Sequence, residues 1–393
     1  MCSNNNILNQ SIIDARSFGH LFNNHQFPNL RWPSRIGEYC LSAEGIFEKS
    51  ASRLYFLRQL GKESFPFSLR ANCNGIDADA DAKLSNAYQK YLDNLFFFLR
   101  STQPEQFIKR NDRGHLQLKM DIVCTRQVLQ LMMCTPYENT DNWTIAVSKY
   151  RNTIYMCQVQ NSEGGSSSHF DCKRLRQEIT TAYMKVLRQH CLVARDGSTA
   201  KTGQPNNLSG QYYSVFTTDI CGINILYDAP VIAQFNPNPY IRMPNTFVDL
   251  YFRLDTMNRA EWSAHNRHDV LKWWAESFLV GIETVYIAYH DRNGVVHSIN
   301  SKQIRDLYRE CDSDWSPNIC GNFLHCLLGT IQKLMAHIDS ASTVYLLDYN
   351  ANNGHITYRV TEDRNVHSFI PDWYRVMLEE NMEHLNAEVR FQL

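Results

Sequence analysis

The stretch that decides the fold runs over residues 247–299: FVDLYFRL at 247–254, RHDVLKWWAESFL at 267–279, VYIAY at 285–289, DRNG at 291–294 and VVHSI at 295–299. The first and third runs are short, apolar and rich in β-branched and aromatic residues, as buried strands require. The second is long enough for a helix, and Asp291-Arg292-Asn293-Gly294 reads as a turn into another strand. Outward from it, an apolar run at 220–227 precedes. A helix over 319–337 leads to strands at 343–349 and 355–360, joined by the hairpin signal Asn352-Asn353-Gly354. Residues 143–159 read as a hairpin broken at Arg151-Asn152-Thr153, and further helices are expected over 83–100 and 175–193. Strands and helices mix without a regular βα alternation or a repeat, which favours an α+β domain with mixed sheets over a doubly wound or barrel layout.

The 393 residues are 44% apolar and 20% charged, a globular composition. Lys and Arg total 39 against 40 Asp and Glu, so no long-range positive field exists and any nucleic-acid contact must come from a local patch. No apolar run approaches the roughly 18 residues of a membrane span. Residues 1–10 lack the basic and apolar regions of a secretory signal. The 12 cysteines contain no CxxC pair and read as reduced thiols. A soluble intracellular protein is expected. Residues 1–26 are polar and read as a loose arm, 27–378 as one domain and 379–393 as a C-terminal tail. Residues 196–211, loaded with Gly, Ser, Asn and Pro, read as a mobile loop within that domain.

The residues by themselves supply no catalytic constellation. Asp77, Asp79 and Asp81 mimic the start of a calcium loop, but Ala82 stands where Gly belongs and Tyr88 where the bidentate Glu belongs. They read as caps and first-turn acids of the following helix. Gly197 and Gly203 miss the phosphate-loop pattern because Gln204 follows where Lys is needed. His268-Asp269 reads as a helix start with Asp269 favoured by the macrodipole. Cys311, Cys320, His325 and Cys326 match no zinc spacing and read as core thiols. Lys173-Arg174-Leu175-Arg176 reads as a helix start and not as an import signal.

Lys272-Trp273-Trp274-Ala275-Glu276-Ser277-Phe278-Leu279-Val280-Gly281 resembles the signature helix of the DXO decapping-exonuclease family, whose members usually carry Gln at the place of Glu276. Other blocks follow in order: Phe27-Pro28 with Pro33-Ser34 and Gly37, Thr135-Pro136-Tyr137-Glu138 with Trp143, Trp315-Ser316-Pro317-Asn318-Ile319-Cys320, and Phe369-Ile370-Pro371-Asp372-Trp373-Tyr374. The resemblance implies a single compact domain of two mixed β-sheets flanked by helices. It implies an active site that removes 5′ caps and degrades RNA from the 5′ end, with Mg or Mn held by converging carboxylates.

By the same resemblance, the family's first-motif Arg falls on Arg126, and its second-motif Glu on Val186. Its Glu-x-Asp falls on Val231 and Ala233 ahead of Asn236-Pro237, and its Glu-Leu-Lys on Arg253-Leu254-Asp255. On this placement none of the four carboxylates is kept, so neither a metal cofactor nor catalysis is expected. Arg253 is expected to pair with Asp255 or Glu276 in the vacated space, and Arg126 to contact an RNA 5′-phosphate. The alternative is an active decapping hydrolase whose metal site is rebuilt from Asp249, Asp255 and Glu276. The loss of ligands resembles a catalytically degenerate member of the family that works in germline nuclei. That likeness implies a nuclear pseudoenzyme of the piRNA pathway with Rhino- and Deadlock-like partners and nascent RNA 5′ ends. Its task would be to promote transcription of piRNA precursors from heterochromatic dual-strand clusters and shield them from decapping, termination and splicing.

Overall fold

The computed structural model describes residues 10–22, 25–70, 92–102, 107–111, 116–159, 168–194, 210–235 and 246–379. Two large mixed sheets carry nearly all the strands. The larger has ten, in the spatial order Gln10–Asp14, His355–Thr361, Ser340–Asn350, Trp143–Tyr150, Thr153–Val159, Ile122–Thr125, Ile223–Pro230, Gln211–Ile220, Ser34–Leu41 and Phe47–Glu48. The smaller has seven: Leu192–Val193, Tyr55–Leu57, Ala233–Gln234, Phe247–Leu254, Thr284–His290, Val295–Gln303 and Phe67–Ser68. Hairpins make most neighbours antiparallel, but Phe247–Leu254 lies parallel to Thr284–His290. A parallel pair needs a long crossover, which the helices between residues 259 and 280 supply. The architecture is the α+β one that the sequence implies.

Helix Arg126–Cys134 packs on the larger sheet and on helices Leu271–Val280 and Pro317–Leu334, and Leu271–Val280 packs on Phe247–Leu254 of the smaller sheet. One buried cluster joins these layers through Leu129, Met132, Trp274, Leu324 and Ile287. The opposite face of the smaller sheet meets helix Ser168–Cys191 through Leu187, Tyr183 and Met184. The opposite face of the larger sheet is covered by helices Asp93–Ser101 and Asp372–Glu379, where Phe96 stacks on Tyr374 at 4.1 Å. Strand Phe247–Leu254 is therefore covered on both sides, which is why it reads as a continuous apolar run.

The N-terminal arm differs from expectation. Gln10–Asp14 pairs with His355–Thr361 as an edge strand, and Ala15–Phe22 is a helix whose Phe18 is buried against Phe323 at 5.0 Å. Ile12, Ile13, Ala15, Phe18 and Phe22 pack against the core, which composition alone passes over. Residues 1–9 lie outside the described residues, as do 196–209 of the expected loop, the acids at 77–81, the motif pair Asn236-Pro237 and the tail beyond 379. The helix expected from Lys83 is described from Asp93. Among the described residues nine cysteines are free thiols, Cys311 and Cys320 among the buried ones, and no helix is long and apolar enough to cross a membrane.

Candidate functional site

The helix that closes the site starts eight residues before the expected Arg267. Asn258 Oδ1 accepts from the amides of Ala260 and Glu261 at 2.9 Å each, and the Glu261 carboxylate accepts from the Asn258 amide at 2.9 Å. The helix passes through a π-helical turn at Asn266–Val270 and continues to Val280, where Gly281 ends it at φ 76°. Such turns are frequent at functional sites. His268-Asp269 consequently lies mid-helix instead of at a helix start. His265 Nδ1 donates to Asp269 at 2.8 Å. Burial works to raise Asp269, yet the bond and charge of His265, helped by Arg176 and Lys272, hold it below the usual carboxylate value.

Strand alternation turns Asp249, Tyr251 and Arg253 toward this helix, while Val248, Leu250 and Phe252 pack on the other face. Asp249 is only 3% exposed. It accepts from Ser277 Oγ at 3.0 Å and Tyr251 Oη at 3.2 Å, and the same phenol oxygen lies 3.3 Å from Glu276 Oε2. Gln130 Nε2 donates to Glu276 Oε1 at 2.9 Å. Burial raises the pKa of Asp249, the charge of Arg126 opposes it and Glu276 adds to it. Burial and both carboxylates push Tyr251 far above its ordinary value, so it stays a donor.

The structure brings Asp249 and Glu276 together and leaves Asp255 out. Asp255 is exposed beyond the strand end, its amide bonded to the His290 carbonyl at 2.8 Å. The three-acid site of the alternative reading does not form. Arg253 pairs with neither acid, contrary to expectation. Its guanidinium lies over the rings of Trp262 and Tyr289, 4.6 and 4.7 Å from their centroids, and Nη2 donates to the Tyr289 hydroxyl at 3.1 Å. The reason is placement: Asp255 projects into solvent, and Glu276 is already held by Gln130 and Tyr251.

The degenerate positions do not share one site either. Val186 and Ala233 join the cluster outside the smaller sheet, and Val231 joins the inner one with Tyr251. Arg126 is half-buried at the start of its helix, with Nε buried and without a hydrogen-bond partner among the described residues. Its charge acts on Asp249 and Asp228. Asp249, which the sequence offered only as part of a rebuilt metal site, is the buried acid of this strand. Asp249-Leu250-Tyr251 carries the acid-Leu order of the fourth motif four residues ahead of Arg253-Leu254-Asp255, in the middle of the strand instead of at its end.

Asp249 and Glu276 are the acids that could hold an ion here, and the Tyr251 hydroxyl contacts both. Among the described residues no group of three or more His, Cys, Asp or Glu converges. Two Mg²⁺ or Mn²⁺ ions need more oxygen donors, so the residues present do not fit the two-ion site that the resemblance implies.

Next to the acids opens a cleft of about 530 Å³ lined by Tyr251, Arg253, His265, Trp273, Arg176 and His290 among others. Trp273 stacks on Tyr251 at 4.5 Å and meets His265 edge-on at 5.0 Å. Trp274, one residue on, points to the other side of the helix and lines a separate cavity of about 550 Å³ with Trp32, Phe278 and Tyr308.

Two mixed sheets flanked by helices, with a cleft between the smaller sheet and its helices, are the frame of a nuclease family: residues 31–375 match the RAI1 like PD-(D/E)XK nuclease family, and the chain belongs to that family. Among its relatives is Protein cutoff of Drosophila melanogaster, 35% identical over 381 residues that cover 97% of this chain and 96% of that protein. The human Decapping and exoribonuclease protein is 25% identical, covering 88% of this chain and 86% of that one. Candida albicans Rai1, solved in complex with pU5-Mn2+, matches with a TM-score of 0.70 at 11% identity over 94% of this chain and 100% of that one, a likeness of fold.

Proposed function

We propose that the protein is a non-catalytic member of this family that holds RNA 5′ ends in the nuclear germline piRNA pathway. One observation carries the reading. The buried Asp249 and the half-buried Glu276 are hydrogen-bonded by Tyr251, Ser277 and Gln130, while Val186, Val231 and Ala233 contribute no carboxylate. Two acids offer too few oxygen donors for two ions, and burial works against the charged form of Asp249 that a cation would need. The cleft keeps an aromatic wall and cations, which suit a single-stranded nucleic-acid end.

In this reading Mg or Mn is not a cofactor. The protein acts in the nucleus in a complex with Rhino- and Deadlock-like proteins, promotes transcription of piRNA precursors from heterochromatic dual-strand clusters, and shields the transcripts from decapping, termination and splicing. The likeness to Protein cutoff supports the pathway. In this reading the charge of Arg126 acts on Asp249 and Asp228 and steadies those acids.

Incubation of the purified protein with 5′-triphosphate RNA and Mg²⁺ or Mn²⁺ is expected to give no product. The convergence of Asp249 and Glu276 is the one feature that favours the rival reading, an active decapping hydrolase with a rearranged site. Product that disappears in Asp249→Ala would establish that rival. A pull-down from ovary nuclear extract is expected to recover Rhino- and Deadlock-like proteins, and recovery of neither would remove the complex from the reading.

A further inference from the structure

We propose that Arg253 receives the terminal phosphate of the RNA 5′ end, with Trp262 and Tyr289 holding its guanidinium in place for that contact. The inference rests on the RNA-end-binding reading and names the group that carries it. A guanidinium lying over aromatic rings, here at 4.6 and 4.7 Å, has its faces covered and its N–H edge left for planar partners. One N–H of Nη2 goes to the Tyr289 hydroxyl at 3.1 Å, and Nε is buried without a partner among the described residues. Arg253 itself lines the cleft.

The charges around the cleft leave this cation in surplus. Two carboxylates line it, and both are engaged elsewhere. Glu261 meets Arg292 at 3.1 Å and caps its own helix through the Asn258 amide. Asp269 meets His265 at 2.8 Å and Arg176 at 3.9 Å. Among the described residues Arg253 touches no carboxylate; its polar contact is the Tyr289 phenol. Arg126 is not among the residues lining the cleft. A phosphate monoester brings two oxygens at the spacing of the guanidinium fork and the charge to match it. Trp273, on the same cleft wall, offers a ring to the first base.

The test is fluorescence anisotropy with one single-stranded RNA carrying either a 5′-monophosphate or a 5′-hydroxyl, with inorganic phosphate as competitor. The wild type is expected to prefer the monophosphate by about ten-fold or more, the scale of a hydrogen-bonded charge pair. Arg253→Met keeps an unbranched stem without the charge. It is expected to erase the preference and lower the slope of log Kd against log salt by about one. Arg253→Lys keeps the charge without the fork and is expected to restore the preference only in part. Tyr289→Phe keeps the ring and removes the hydroxyl, so a weakened preference in a variant that melts like the wild type excludes misfolding as the cause. If Arg253→Met keeps the full preference, the assignment fails while RNA-end binding stands. If the wild type binds neither RNA, the RNA-end-binding reading fails first. If the wild type binds both equally and Arg253→Met weakens both alike, the arginine serves internal phosphates and the terminal assignment is overturned.

Discussion

The Tyr251 hydroxyl contacts Asp249 at 3.2 Å and both Glu276 and Ser277 at 3.3 Å, so two acids share one phenol proton. Tyr251→Phe keeps the ring stacked on Trp273 and removes that donor. We expect it to lower stability by about 1–2 kcal/mol in urea unfolding; an unchanged midpoint would mean that Ser277 and Gln130 satisfy the acids without it. Asp228, on the larger sheet, is buried and accepts from the Tyr39 hydroxyl at 2.6 Å. Burial raises it to about 6 against the Tyr39 bond and the charge of Arg126. An acid raised in the folded state contributes stability that is complete below its unfolded value of 3.8 and lost as pH rises through about 6. The melting temperature should therefore fall across that window. Asp228→Asn should flatten the fall, by up to about 3 kcal/mol. A slope that survives the substitution would belong to Asp249, whose pKa burial shifts in the same direction.

At the scale of the element, the helix from Arg259 to Val280 joins the aromatic clamp to the acid cluster. Its N-terminal half carries Trp262 and His265, and its C-terminal half Trp273, Glu276 and Ser277. The sequence shows its later part through the Trp-rich apolar run, but Arg259–His265 lacks a continuous apolar period because part of it faces the cleft. The capping pair Asn258 and Glu261 was the available signal for the true start. At the other end Gly281 has φ +76°, and a Cβ there would lie 2.9 Å from Trp32 Nε1. Gly281→Ala is expected to cost about 1–2 kcal/mol, read by thermal melting, mostly as left-handed backbone strain because half-exposed Trp32 can move aside.

For the whole molecule, metal linkage separates the two functional readings without any RNA. An ion that binds only the folded state raises its stability in proportion to occupancy. Millimolar Mn²⁺ is expected to leave the melting temperature within about 1 °C, whereas a filled two-ion site would raise it by several degrees. The α+β class was legible because buried strands and helices impose their periods on the apolar residues along the chain. The absence of acids at 186, 231 and 233 was equally legible, being a matter of which residue types are present. The contacts that define the site were not. Tyr251 links Asp249 to Glu276, and Arg253 meets Trp262 and Tyr289, only because neighbouring strands and a crossing helix bring together residues up to 36 positions apart. Periodicity assigns a side chain to a face, but strand register and helix packing choose its neighbour there, so ion pairing was expected where an aromatic clamp stands.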